Sequence, residues 1–230
     1  MRDSLDNMSE ALLRLQSGGE NGRLHITGTN AFCVRWLLPR LHDWRKLYPR
    51  LKLTIAGTDS VLNLSAGESD VAIRYAAKPP EEGPSFRLLR DTFHVVASPR
   101  LVGRIRGVMD PAEFTRYPLI EAEWPATDVK APTWRRWQRV ARARHGQVPD
   151  LAAAVSVNFK EELHAIEAAV AGYGIAICSD ALIAGELARG DLVPLSRLTL
   201  PGYGFYIVHR PGHSKLPAIR TFIEWAHSAR

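Results

Sequence analysis

Three turns of the sequence place hydroxyl, amide or carboxyl side chains where a strand pattern changes into a helix pattern, at residues 27–31, 57–60 and 155–159. Such side chains are preferred at helix N-caps, because their oxygens accept hydrogen bonds from free backbone N–H groups. The N–H groups and the dipole at a helix start also favour an anion. These turns therefore suit two compatible roles, capping a helix and contacting a small anionic ligand.

Further contacts are expected beside these turns. Arg74 ends an apolar strand, where its guanidinium can hold a carboxylate in a bidentate pair; the alternative is an ion pair with Glu81, Glu82 or Asp91. Tyr75 and Phe159 supply aromatic surface to the site or belong to the core. Asn158 precedes Glu161 by three residues, the spacing of a capping box, so it caps a helix or contacts the ligand.

The sequence shows no catalytic constellation. It contains no GxSxG, HExxH, Walker or GxGxxG pattern, and its eight histidines have no metal-ligand spacing. Glu121 and Glu123 share a strand face but lack an acid/base partner. Cys33 and Cys178 have no CxxC partner and are interpreted as small buried residues. We therefore predict no catalytic residue, metal or cofactor.

The turns belong to a chain in which strands and helices alternate, the pattern of a largely parallel sheet covered by helices. A loop at residues 76–84 and a fresh cycle after Pro99 divide the pattern into two α/β units that share long strands. Ligands of open α/β sheets bind beyond the carboxyl ends of the strands, so the crevice between the units is the expected site. The predicted strands are 24–27, 51–56, 70–75, 86–98, 118–121, 153–157, 175–178, 192–194 and 203–209, and the predicted helices are 1–17, 32–48 with a kink at Pro39, 61–66, 132–144, 160–171 and 216–228.

Composition limits the class of protein. The chain has 230 residues, 46% of them hydrophobic and 23% charged, as in globular domains. It shows no signal peptide and no apolar run long enough to span a membrane, so we expect a cytoplasmic protein without membrane contact. The net charge is +6. Much of it lies in residues 134–144, where we favour an apolar stripe of Trp134, Trp137 and Ala141 on a sheet, with solvated arginines, over a phosphate-binding face.

Several segments together resemble the effector-binding domain of LysR-type transcriptional regulators, most closely the glycine-cleavage-activator subgroup. The resemblance is collinear from about Gly22 to the C-terminus. The segments that carry it are AFCVRWLLPRL at 31–41, DVAIRY at 70–75, LHAIEAAVAGYGIAI at 163–177, Leu182, and LARGDLVP at 187–194. The resemblance implies an α/β fold of two Rossmann-like subdomains joined by two crossover strands, like a type 2 periplasmic binding protein. Residues 1–21 are then the remnant of a linker helix, 22–94 and 205–230 form subdomain I, and 95–204 form subdomain II.

The resemblance also implies a site and partners. A small-molecule effector lies between the subdomains, in contact with Thr29, Asn30, Ala31, Phe32, Thr58, Asp59, Ser60, Arg74, Tyr75, Asn158 and Phe159. Ala31 stands where the subgroup commonly has serine, so Thr29 or Asn30 has to supply the polar contact. The domain is expected to form a homodimer through helix 32–48 and its counterpart in the second half, and a tetramer in the full-length regulator. DNA is bound only through a winged helix-turn-helix that this sequence lacks, so the chain is expected to be a shortened form of the regulator.

Two other functions fit the same scaffold. A solute-binding receptor for transport shares the fold and requires export. An enzyme of this fold predicts turnover that depends on Glu121 or Arg74.

Overall fold

The computed structural model describes residues 22–103, 105 and 107–229. The predicted helix at residues 1–17 and the proposed linker remnant at residues 1–21 lie outside these ranges. The described chain forms two units, one up to Arg90 and again from Tyr203, the other from Asp91 to Gly202. Strands β4 (Ser85–Ala97) and β9 (Leu200–His209) each have residues in both units. The predicted fold class, two α/β units connected by two strands, is confirmed.

The first unit is built on three parallel strands, β1 (Arg23–Gly28), β2 (Lys52–Gly57) and β3 (Val71–Ala76), in the order β2-β1-β3, followed by β9 and β4. In β1 the side chains of Leu24 and Ile26 are buried while those of Arg23 and His25 are exposed, as the alternation predicts. β9 runs antiparallel to β3. Helix α7 (Leu216–Ser228), predicted with the same bounds, closes the unit.

The helix after β1 has three parts: α1 (Asn30–Phe32), a π-helical turn (Cys33–Leu37) and α2 (Leu38–Leu47). The Leu38 N–H bonds to the carbonyl of Cys33, five residues back. This irregular turn precedes Pro39, because proline offers no N–H and its ring crowds the preceding turn. The sequence predicts a kink at Pro39 or two helical pieces, and the structure shows two helical pieces joined by this π-helical turn, which ends two residues before the proline.

The second unit contains parallel strands β5 (Leu119–Ala122), β6 (Val155–Phe159) and β7 (Ile175–Ser179), with β7 antiparallel to β4. The short strand β8 (Val193–Pro194) also pairs with β4. Its helices are α3 (Pro99–Val102), a 3-10 helix (Pro111–Arg116), α4 (Trp134–His145), α5 (Glu162–Ala171) and α6 (Asp180–Arg189).

Helix α4 confirms the predicted apolar stripe. Trp134, Trp137 and Ala141 are fully buried, whereas Arg135 and Arg139 are exposed. The indole N–H of Trp134 donates to the Ile120 carbonyl at 2.8 Å, so the stripe is fixed by hydrogen bonding as well as by packing.

One predicted helix is absent, and three observed helices, α3, the 3-10 helix at Pro111–Arg116 and α6, were not predicted. Residues 61–66 form no helix, because the Asn63 side chain accepts hydrogen bonds from the N–H groups of Ser65 and Ala66 and holds a turn. Helix α6 was not predicted at all. It follows β7 without an intervening residue, with the polar residues Ser179 and Asp180 at the junction, so the helix-start signal stands at the end of the strand and not in a separate turn.

Candidate functional site

The first predicted turn follows β1 and caps the helix behind it. Thr29 is the N-cap of α1, and its Oγ1 accepts a hydrogen bond from the Phe32 N–H at 3.3 Å. Ala31 and Phe32 are buried, whereas Thr29 and Asn30 are partly exposed. Within this turn, the groups that a ligand can reach are therefore those of Thr29 and Asn30.

The second turn follows β2 and is hydrogen bonded to the first. The Thr58 N–H donates to the Gly28 carbonyl at 2.9 Å, and the Asn30 N–H donates to Oδ1 of Asp59 at 3.4 Å. Thr58 Oγ1 accepts from the Ser60 N–H at 3.1 Å. The two turns approach closely at Gly57, where an added Cβ would lie 3.0 Å from Oδ1 of Asn30. The structure therefore brings the first two predicted segments together.

Arg74 is already paired within the first unit. Its Nε lies 2.6 Å from Oε1 of Glu82, and one terminal nitrogen lies 3.1 Å from Oε2 of the same carboxylate. That nitrogen also donates to the Leu62 carbonyl at 2.6 Å. Of the two roles predicted for Arg74, the structure shows the ion pair, and among the three acids considered the partner is Glu82.

Tyr75 belongs to a row of aromatic rings in the same unit. Its ring centroid lies 4.7 Å from that of Phe205 and 5.6 Å from that of Tyr203, and Phe205 in turn lies 4.9 Å from Phe32. The Tyr75 hydroxyl accepts a hydrogen bond from the Tyr203 N–H at 3.0 Å. Because successive strand residues point to opposite faces of the sheet, Arg74 and Tyr75 do not share a face.

Asn158 and Phe159 lie in the second unit, at the end of β6, where they pair with Glu121 and Ala122 of β5. Asn158 is exposed and Phe159 partly buried. The predicted capping box was wrong, because Asn158 is a strand residue and the N-cap of α5 is Glu161, which makes no side-chain cap bond. The other nine predicted contact residues belong to the first unit.

Glu121 has a structural role in the second unit. Its Oε1 accepts the Trp134 N–H at 2.7 Å, at the first residue of α4. A carboxylate in this place is stabilised by the helix dipole. The sequence offers no acid/base partner for Glu121. Its hydrogen bond from the Trp134 N–H explains why a carboxylate lies at this place.

Sequence reasoning missed a buried carboxyl group at the start of the second unit. Asp91 is 2% exposed and accepts hydrogen bonds from Ser179 Oγ at 2.7 Å and from the Thr92 N–H at 2.9 Å. Burial and the adjacent carboxylate of Asp180 raise the pKa of Asp91 to about 7, although the bonds from Ser179 and Thr92 lower it. The sequence did show an acidic residue in the middle of a long predicted strand, which is unusual. Its partners Ser179 and Asp180 become its neighbours only through the pairing of β4 with β7.

Among the residues that the structure describes, neither a group of metal ligands nor a membrane span is found. In the described ranges, no three His, Cys, Asp or Glu side chains are arranged to hold a metal ion. No helix among these residues is long and apolar enough to cross a membrane.

Comparison with known proteins identifies the family to which the chain belongs. The model of the LysR substrate binding domain family matches residues 17–230. The chain is 27% identical over 222 residues to a glycine cleavage system transcriptional activator homolog of Haemophilus influenzae, covering 96% of this chain and 70% of that protein. It is 29% identical over 226 residues to the AhcY transcriptional activator HvrB of Rhodobacter capsulatus, covering 98% of this chain and 72% of that protein.

Solved structures show the same fold at lower identity. The effector domain of the transcriptional regulator AmpR of Pseudomonas aeruginosa matches with a TM-score of 0.69 and 22% identity, over 90% of this chain and 94% of that one. CrgA, a LysR-type transcriptional regulator from Neisseria meningitidis, matches with a TM-score of 0.68 and 19% identity, over 97% of this chain and 74% of that one.

Proposed function

Because the chain belongs to the LysR substrate-binding domain family, we propose that it is the effector-sensing and oligomerising part of a transcriptional regulator. The relatives named above are transcriptional activators and not enzymes, which supports this function over an enzyme or a solute-binding receptor of the same fold. The observation that carries the proposal is the family match over residues 17–230, which includes all eleven predicted contact residues. We further propose that the regulator acts in the cytoplasm.

We propose that the effector binds at the carboxyl ends of the strands. The hydrogen bonds from Thr58 to Gly28 and from Asn30 to Asp59 support this placement, because they hold two polar turns side by side with groups exposed to a ligand. Asn158 and Phe159 are proposed as contacts from the second unit. The remaining predicted contacts, Thr29, Ala31, Phe32, Ser60, Arg74 and Tyr75, stay predictions, and so does the anionic class of the effector.

An effector regulates only through a difference in affinity. A ligand that binds two conformations of the regulator equally well leaves their populations unchanged, however tightly it binds. The effector is therefore proposed to bind one conformation more tightly than the other. DNA binding belongs to another part of the regulator, a winged helix-turn-helix domain.

We propose a homodimer, and a tetramer for the full-length regulator. The helix that follows β1 supports the dimer, because Val34 is 37% and Leu38 58% exposed on it. Val34 and Leu38 are four residues apart and so lie on the same side of the helix, where they form a small exposed apolar surface for a second copy of the chain. Sedimentation velocity of the chain should show a dimer at micromolar concentration, and L38E should shift it toward a monomer.

The effector proposal is tested by a thermal-shift screen of amino acids, small organic acids and aromatic carboxylates, followed by calorimetry on any ligand found. T58A and S60A should weaken binding of that ligand, and T115A, a change of an exposed threonine in the second unit, should not. A ligand whose affinity is the same in T58A, S60A and the wild type would place its site elsewhere and contradict the proposal.

A further inference from the structure

The first unit already holds a carboxylate of its own at two of the positions where the sequence predicted the ligand's anion. At Arg74, both carboxylate oxygens of Glu82 lie within 3.1 Å of the guanidinium, and the Leu62 carbonyl takes a further hydrogen bond. At the start of α1, the Asn30 N–H donates to Oδ1 of Asp59. An incoming anion would have to displace Glu82 and would meet the negative charge of Asp59.

The charge that remains at these turns is negative. Glu82 neutralises Arg74, whereas Asp59 is exposed and, within the described part of the chain, no basic side chain forms an ion pair with it. One oxygen of Asp59 faces the Asn30 N–H, which leaves acceptor capacity on the carboxylate, since an ionised carboxylate has about four acceptor positions. A donor with a positive charge is the complementary partner.

Aromatic surface lies near this carboxylate along the same sheet edge. β2, β1 and β3 are adjacent and parallel, so the axes of β2 and β3 are about 10 Å apart at about 4.8 Å per strand, and β3 continues three residues beyond the level of Gly57. Tyr75 and Tyr203 are partly exposed, and their rings are 5.6 Å apart. Aromatic faces attract cations, so a carboxylate and exposed tyrosines form an environment for an ammonium group.

We propose that Asp59 is a specificity-determining residue, and that the effector presents a positively charged amine to it, in place of the purely anionic effector that the sequence predicts. The inference rests on the proposed effector-binding function and names the chemical class of the ligand. Glu82 has the complementary role, since its pairing with Arg74 removes a cation that would otherwise attract ligands with only a carboxylate.

The test uses sets of small probes that differ in charge. They are straight-chain amines, carboxylates and amino acids of three to six carbons, with benzylamine and benzoate, titrated into the chain by calorimetry and thermal shift. We expect binding of probes that carry an amine and none of the carboxylates without one. D59N should lower the affinity for the bound amines about tenfold or more, as expected for loss of a charge-assisted hydrogen bond.

The pair Glu82 and Glu81 supplies a matched control. E82Q frees the charge of Arg74 and should allow carboxylate probes to bind, whereas E81Q changes an adjacent exposed carboxylate that makes no ion pair in the described structure and should bind like the wild type. If carboxylates bound the wild type as tightly as amines do, and D59N had the same affinities as the wild type, the inference about the amine would be overturned. The proposed effector binding would still stand. Failure of every probe, in the wild type and in E82Q, would contradict effector binding itself and this inference with it.

Discussion

Nε2 of His213 lies 3.1 Å from Oδ1 of Asp70, within ion-pair distance of that carboxylate. Nδ1 of the same ring accepts the Lys215 N–H at 3.0 Å, which identifies the neutral imidazole with its proton on Nε2. The other oxygen of Asp70 accepts from the His25 N–H at 2.8 Å and from Nζ of Lys215 at 2.9 Å. Asp70 therefore connects β1 and the start of β3 to the residues that begin α7.

This network predicts a loss of stability in acid. Burial lowers the pKa of His213, and the positive charges of Arg210 and Lys215 lower it as well, although Asp70 raises it. The unfolded chain then binds a proton at His213 that the folded chain does not, so the free energy of unfolding falls as the pH drops below about 6.5. Urea unfolding of the wild type and of H213Q between pH 8 and pH 5 isolates this contribution, and the stability of the wild type relative to H213Q should fall as the pH drops.

Asp70 itself contributes at lower pH. Burial would raise its pKa, but the hydrogen bonds from His25 and Lys215 outweigh burial and hold the pKa below its ordinary value. Its stabilisation is therefore complete above about pH 4 and is lost as the pH falls through the lowered pKa. D70N should cost about 1–3 kcal/mol at pH 7. D43N, at an exposed residue of α2, should stay within about 0.5 kcal/mol of the wild type, and equal losses in both variants would contradict this role.

Asp91 predicts the opposite trend. Its folded pKa is raised to about 7, so the folded state keeps a proton that the unfolded chain releases near pH 4. The stabilisation is present below about pH 4 and is lost as the pH rises toward 7. D91N mimics the protonated carboxyl and should be more stable than the wild type by about 4 kcal/mol at pH 8 and equal to it at pH 4. E123Q, at an exposed carboxylate, should show no such difference, and a D91N effect that is the same at both pH values would refute the assignment.

Local patterns were enough to predict most of the fold. The stripe of Trp134, Trp137 and Ala141 and the bounds of α7 follow from helical periodicity, which acts over neighbouring residues only. Two of the errors in the helix predictions also arise from interactions between residues that are close in sequence. Asn63 competes for backbone N–H groups and replaces a helix with a turn, and α6 begins at Asp180 directly after β7, with no turn between them to separate the helix from the strand.

The candidate site was predictable where it depends on one turn and unpredictable where it depends on partners distant in sequence. Thr29 was foreseen as a cap, because its acceptor role involves only the next three residues. The choice of Glu82 over Glu81 as the partner of Arg74 depends on the path of the loop after β3. The contact between Asp59 and Asn30 depends on the register of β1 with β2, which a periodicity argument does not supply.

Cys33 is predicted to be unreactive although it lies just behind the first turn. Burial raises the pKa of its thiol to about 11, and the negative charge of Asp59 raises it too. Thiolate is the reactive form, so at pH 8.5 alkylation of the folded chain should be about 100-fold slower than that of the chain in urea. The check is the rate of alkylation by iodoacetamide in C178S, in which Cys33 is the remaining cysteine. Comparable rates for the folded chain and the chain in urea would contradict the prediction.

A side chain at position 174 is predicted to destabilise the fold, because it would clash with neighbouring atoms. Gly174 lies just before β7, where an added Cβ would be 2.6 Å from the Pro118 carbonyl oxygen and 2.9 Å from Cγ1 of Ile120. Because the nearest atom belongs to the backbone of a neighbouring segment, relief requires β5 or β7 to shift. G174A should therefore destabilise the chain by about 1–3 kcal/mol, as overpacking does.

Gly185 in α6 is the matched control for Gly174. An added Cβ there would meet only the guanidinium end of Arg189, at 3.0 Å, and this flexible group can move away. Alanine is also favoured over glycine in a helix by about 1 kcal/mol, so G185A should leave stability unchanged or raise it. Urea unfolding of both variants gives the comparison. If G174A proved as stable as G185A, the close approach at Pro118 would not limit residue 174.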